Sequence, residues 1–106
     1  MRTEREAANL ELRVLADAVL KGEIPDLEDL RSIESLRLRT GHGDDPVFFS
    51  IRSAVSDLDA VPSMSRRTLY SPAFLAESDA MCAAYLRDAA VDIKASCRAL
   101  LSSSWL

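Results

Sequence analysis

Histidine occurs once in the 106 residues, as His42, and cysteine twice, as Cys82 and Cys97. One imidazole cannot build a His-x-x-x-His or Glu-x-x-His metal site, and no Cys-x-x-Cys pair is present. The ferritin-like carboxylate pattern, which needs histidines from several helices, is excluded for the same reason. The cysteines are 15 residues apart in one predicted helix. That separates them by about 22 Å, at about 1.5 Å per residue, so they cannot bridge within it. They are expected to be reduced thiols of a cytoplasmic protein. Both fall on an apolar stripe, where burial rather than nucleophilic catalysis is the expected fate. Glycine is scarce, with three residues. No glycine-rich phosphate loop and no Gly-x-Ser-x-Gly elbow exists. No apolar run approaches the ~20 residues that cross a membrane. The charged start, MRTEREAANLELR, lacks an apolar secretory core, so a cytoplasmic location is expected.

What remains is an acidic, helix-forming chain. Hydrophobic residues make up 48%, which disfavours disorder, and the length suits one domain, residues 1–106. Seventeen acids against 13 bases give a net charge of −4. Free-standing nucleic-acid binders are usually basic, so direct DNA or RNA contact is disfavoured and a basic protein partner fits better. No cofactor is implied by any motif.

Four helical segments can be read. The first, residues 4–21, carries Ala7, Leu10, Val14 and Ala18, with Leu15 and Val19 beside them, at helical spacing. Gly22 is expected to close it in a left-handed cap. Asp26, with Asp29 three residues on, reads as the start of the second, whose stripe is Leu27, Leu30, Ile33 and Leu36 and whose end is Gly41. Asp45-Pro46 opens the third, running to about Val61 with Val47, Phe48, Ile51, Ala54, Val55 and Leu58 inward. Ser71-Pro72 opens the fourth, unbroken to Leu101. At about 30 residues it is far longer than its neighbours. Either it bends or breaks near Ser78 and Asp79, or its C-terminal half overhangs and exposes Ile93, Leu100, Leu101, Trp105 and Leu106. Ser102-Ser103-Ser104 reads as a frayed end. Short connections favour antiparallel neighbours. The expected fold is all-α, an up-down antiparallel bundle of three to four helices with a long C-terminal helix.

The charge map offers the candidate site. Asp17, Glu23, Asp26, Glu28 and Asp29 cluster against one base, Lys21. In an up-down bundle the first and third connections share an end, which then also receives Asp57, Asp59 and the Arg66-Arg67 pair. Helix starts and solvated ends collect acids in any case. The alternative is a partner-binding surface that imitates nucleic-acid phosphate and weakens with salt. Residues 62–71, PSMSRRTLYS, form the longest connection. That connection either carries function or packs Leu69 and Tyr70 beneath the last helix. A metal on His42, Asp44 and Asp45 competes with a solvated turn, which the flanking glycines favour.

The stretch Val19-Leu20-Lys21-Gly22-Glu23-Ile24, followed by the acid-rich helix from Asp26 to Leu38, resembles the opening of colicin D-type immunity proteins. Val55-x-x-Leu58-Asp59-x-x-Pro62 sits where that family carries a similar helix end. Small acidic helical anti-CRISPR proteins share the general features. Both resemblances imply a non-enzymatic inhibitor of a nucleic-acid-processing protein, a toxin nuclease or a CRISPR effector. The alternative is a structural or adaptor module that forms a homodimer through its C-terminal helix.

Overall fold

The computed structural model describes residues 3–106. Four α-helices follow in chain order: α1 (Glu4–Lys21), α2 (Leu27–Arg37), α3 (Phe49–Asp57) and α4 (Pro72–Leu101). Short 3-10 turns lie at Leu38–Thr40, Pro46–Phe48 and Met64–Leu69. Helix α1 packs on α2 and α4, and α3 packs on the same two. Cross-links at both ends fix the directions. Asn9 donates to the Trp105 carbonyl, and Lys94 to the Glu23 carbonyl, so α1 and α4 run antiparallel. Phe48 meets Trp105 at one end of α3, and Asp57 meets Tyr85 at the other. The fold is the expected all-α up-down bundle.

The helix starts follow the punctuation in the sequence. Asp26 Oδ1 accepts from the Glu28 and Asp29 amides at 2.8 and 3.3 Å, a cap worth about 1 kcal/mol. Asp45 accepts from the Val47 amide at 2.9 Å, and Ser71 from the Phe74 amide at 3.2 Å. Each of these three caps satisfies a helix-end amide that the helix itself leaves unpaired. The first helix ends differently from expectation. Gly22 is extended, at φ −79° and ψ 151°, because the chain turns directly into buried Pro25 rather than curling back. Gly41 alone has positive φ among the described residues, and a Cβ there would meet the Arg5 guanidinium at 2.6 Å.

The core is drawn from all four helices, with Leu12, Leu30, Ile33, Phe48, Ile51, Leu58, Ile93 and Leu100 fully buried. The α2 stripe lies inward as the spacing predicts, with Leu27, Leu30, Ile33 and Leu36 buried. The α1 stripe is rotated from the expected one. Ala8, Leu12, Ala16 and Val19 face inward, whereas Leu10 and Val14 are exposed. Two alanines on the inner face let the neighbouring helices approach closely, and Leu12 fills the space between them.

Helix α4 is continuous through Ser78, and its C-terminal half does not overhang. Ile93, Cys97 and Leu100 are buried, and Leu101, Trp105 and Leu106 pack against the core. The serines form a turn instead of fraying. Ser103 Oγ donates to the Ala99 carbonyl, and the Leu106 amide donates to the Ser103 carbonyl. This folds Trp105 back onto the bundle, where it stacks on His42 at 4.5 Å and donates from Nε1 to Asp45 at 3.1 Å. Asp45 is held below the usual carboxylate range, first by the Val47 amide and then by Trp105. The loop at His42 is therefore a docking point for the segment that follows α4. Among the described residues no group of three His, Cys, Asp or Glu side chains is arranged to hold a metal.

The rotated α1 register is directly testable by urea denaturation. Leu12→Ala is expected to cost about 2–5 kcal/mol. Val14→Ala, at a site the spacing alone would place inward, is expected to stay within about 0.5 kcal/mol of the parent.

A candidate docking surface at one end of the bundle

The first and third connections do meet at one end. Arg31, in the second turn of α2, donates to the Leu58 and Val61 carbonyls at 3.1 and 2.6 Å. It also pairs with Glu28 at 3.1 Å. One guanidinium thus ties the start of α2 to the end of α3, a planar fork suited to several acceptors at once.

Of the seven acids expected here, Asp26, Glu28, Asp29, Asp57 and Asp59 lie at this junction, whereas Asp17 and Glu23 lie beside the C-terminal part of α4, on the stretch bounded by the Asn9–Trp105 and Glu23–Lys94 contacts; the seven are also in different states. Asp17 pairs with Lys21 at 2.7 Å, and Glu28 pairs with Arg31. Asp26 is committed as the α2 cap. Asp29 is half-buried, and burial, then the nearby Asp26 charge, pushes its carboxyl above the usual range. Asp57 accepts from the Tyr85 hydroxyl at 2.5 Å. Glu23 and Asp59 are exposed, and among the described residues their carboxylates have no ion-pair or hydrogen-bond partner. The two arginines also differ. Arg67 grips Asp79 through two bonds of 2.8 Å, which raises the guanidinium and lowers the carboxylate. Arg66 is exposed beside Asp59 and Tyr70.

An apolar surface that the sequence reading did not place lies among these charges. Met64 and Leu69 are 70% exposed, and Tyr70, Phe74 and Met81 are 41–47% exposed. Leu69 and Tyr70 therefore do not pack beneath α4. Tyr70 and Phe74 stack with ring centroids 5.0 Å apart. Phe74 and Met81 line a hollow of about 290 Å³ with Ala60, Glu77 and Ser78. Ala60 and Tyr70 also belong to a second hollow of about 340 Å³, with Arg31, Asp59 and Arg66. The available signal was the length of the fourth helix: at 30 residues it outruns its neighbours, so part of its stripe must be left uncovered.

A polar groove of about 500 Å³ runs between α2 and α3, lined by Glu34, Phe49, Arg52 and Asp57. Arg37 and Arg52 both reach Glu34 Oε1, while its Oε2 is buried without a hydrogen-bond partner among the described residues. Burial pushes the Cys97 thiol up to about 11 and the Cys82 thiol upward as well. A reactive thiolate needs the opposite shift. No described helix is long and apolar enough to cross a membrane.

Comparison with protein-family models, with curated proteins and with solved structures finds no match.

The Tyr85–Asp57 bond ties α4 to α3 at this end and can be titrated. Hydrogen bonding to Asp57 pushes the Tyr85 phenol up to about 12 from its ordinary 10. The folded protein holds this proton more tightly than the unfolded chain. The stabilisation is complete below about pH 10 and is lost as pH rises through about 12. Ultraviolet titration should show one phenol ionising late, and Asp57→Asn should return it towards the ordinary value.

Proposed function

We propose that the protein acts by contact, as a non-enzymatic inhibitor that occupies a basic surface of a nucleic-acid-processing protein. The observation that carries this reading is the coincidence at one end of exposed acids and exposed apolar side chains. Asp59 and Glu77 stand around Tyr70, Phe74 and Met81, and exposed Glu23 lies further along the bundle, where Lys94 reaches its carbonyl. An apolar centre with a charged rim is the anatomy of a protein interface. The acids steer a positive partner, and the apolar centre supplies the affinity. A partner evolved to hold phosphate presents such a positive surface. The resemblance of Leu20-Lys21-Gly22-Glu23-Ile24 to colicin D-type immunity proteins supports a nuclease as that partner, and a CRISPR effector presents the same chemistry.

The test is affinity capture from a nuclease-treated bacterial lysate at low and high salt, with the parent and with Glu23→Lys/Asp59→Lys. These two carboxylates cap no helix, so the variant should keep the parental helicity. The expected result is a basic nucleic-acid-processing protein retained at low salt, released at high salt and displaced by oligonucleotide. The double variant should bind it about tenfold or more weakly. Retention indifferent to salt and to both substitutions would overturn the reading.

The alternative, a module that homodimerises through its last helix, has different residues available from those the sequence suggested. Ile93 and Leu100 are buried in the protomer's own core, so pairing through α4 would use Phe74 and Met81. Sedimentation of the purified chain separates the two readings.

A further inference from the structure

Along α4, Phe74, Ser78 and Met81 follow at spacings of four and three, so they form one stripe. Ser78 is the buried floor of the hollow, Phe74 and Met81 flank it, and Ala60 of the third connection supplies the opposing wall. Such a stripe is one half of a helix–helix contact. The α4 stripe beyond Cys82 is covered, with Leu86, Ile93, Cys97 and Leu100 buried. Its first turns have only the third connection beside them.

The surrounding charges select what fits. Glu77 stands on the rim of the hollow, and Asp59 precedes Ala60 in its wall. Of the bases nearby, Arg67 is neutralised by Asp79, and Arg31 is spent on Glu28 and two carbonyls. Of the described bases lining the two hollows only Arg66 remains uncommitted, against Glu77 and Asp59. A second copy seated here would bring these acids against their own like, which costs affinity, whereas a positive partner gains from every one of them.

We infer that this stripe and its hollow seat a basic amphipathic helix of the partner. Its apolar side chains, spaced by three and four, lie against Phe74, Ser78 and Met81. Its Lys or Arg side chains flank them and face Glu77 and Asp59. The inference takes from the proposed function only the end of the bundle at which the partner docks.

Synthetic peptides test it without knowledge of the partner. The probe is a helix of more than about 15 residues, long enough to hold its shape, with leucines at spacings of three and four and Lys or Arg elsewhere. One control keeps the leucines and replaces every base by Glu. A second keeps the composition but scatters the leucines. Calorimetry is expected to show one-to-one binding of the probe alone. Phe74→Ser and Met81→Ser, both at exposed positions, should each weaken it about tenfold, with circular dichroism unchanged. Glu77→Lys should weaken it at low salt and much less at high salt. Equal binding of the scattered control, or indifference to Phe74→Ser and Met81→Ser, would overturn the inference. So would a dimer in sedimentation that Phe74→Ser makes monomeric, since the occupant would then be a second copy. If the probe fails here while a lysate partner is still held through Glu23 and Asp59, the contact reading stands and the helix inference falls. If the probe binds on this stripe while no basic protein is captured, the surface stands and the inhibitor reading falls.

Discussion

A 30-residue helix cannot be covered along its whole length by partners of 18, 11 and 9 residues, and this mismatch governs the molecule. At about 1.5 Å per residue α4 is about 45 Å long. The longest dimension of the protein is 46 Å. The helix therefore sets the length of the whole structure, and one of its ends must stand clear of the others. Packing decides which. Ile93, Cys97 and Leu100 are fully buried, and Trp105 is tied down by stacking and a hydrogen bond, so the C-terminal half is the committed one. The radius of gyration of 14.5 Å exceeds the roughly 13 Å of an equally long compact domain, as an extended helix requires.

The acids at the same end do two kinds of work. Some of them build the end itself. Asp26 caps α2, Asp57 holds Tyr85, and Asp79 fixes Arg67 and with it the 3-10 turn before α4. Exposed pairs of this kind add little to global stability. Their value is local, because they fix the connection that forms one wall of the hollow. The remaining carboxylates beside the hollows, on Asp59 and Glu77, are free to act outward. Charge read from composition cannot divide these roles, because capping and exposed acids look alike in a sequence.

Much of the fold was legible for identifiable reasons. Asp26, Asp45-Pro46 and Ser71-Pro72 mark helix starts because a side-chain acceptor satisfies amides that the helix leaves open. The α2 and α3 stripes were legible because their inward positions hold large aliphatic or aromatic residues and their outward positions mostly do not. The α1 face was not. Leu10 and Val14 are more hydrophobic than Ala8 and Ala16, yet close packing prefers the alanines, and periodicity weighs hydrophobicity rather than fit. Gly22 misled for a related reason, since glycine is as much at home in an extended link as in a left-handed cap. The candidate surface was half legible. Of its acids, Asp59 was found from the clustering and Glu77 was not, since it stands outside that cluster in the sequence. Its apolar centre was missed because a stripe reads the same whether or not a neighbour is long enough to cover it.

Trp105 is the single tryptophan of the chain, and it sits at the end of the bundle opposite the candidate surface. Sandwiched against His42 and close to Phe48, it closes the loop between α2 and α3 with the last residues of the chain. Its emission therefore reports on one place only, the seam where the two distant segments meet. The protein carries an intrinsic optical gauge of its own closure. That gauge is far from the docking end, so a ligand seated there leaves it quiet unless the whole bundle loosens.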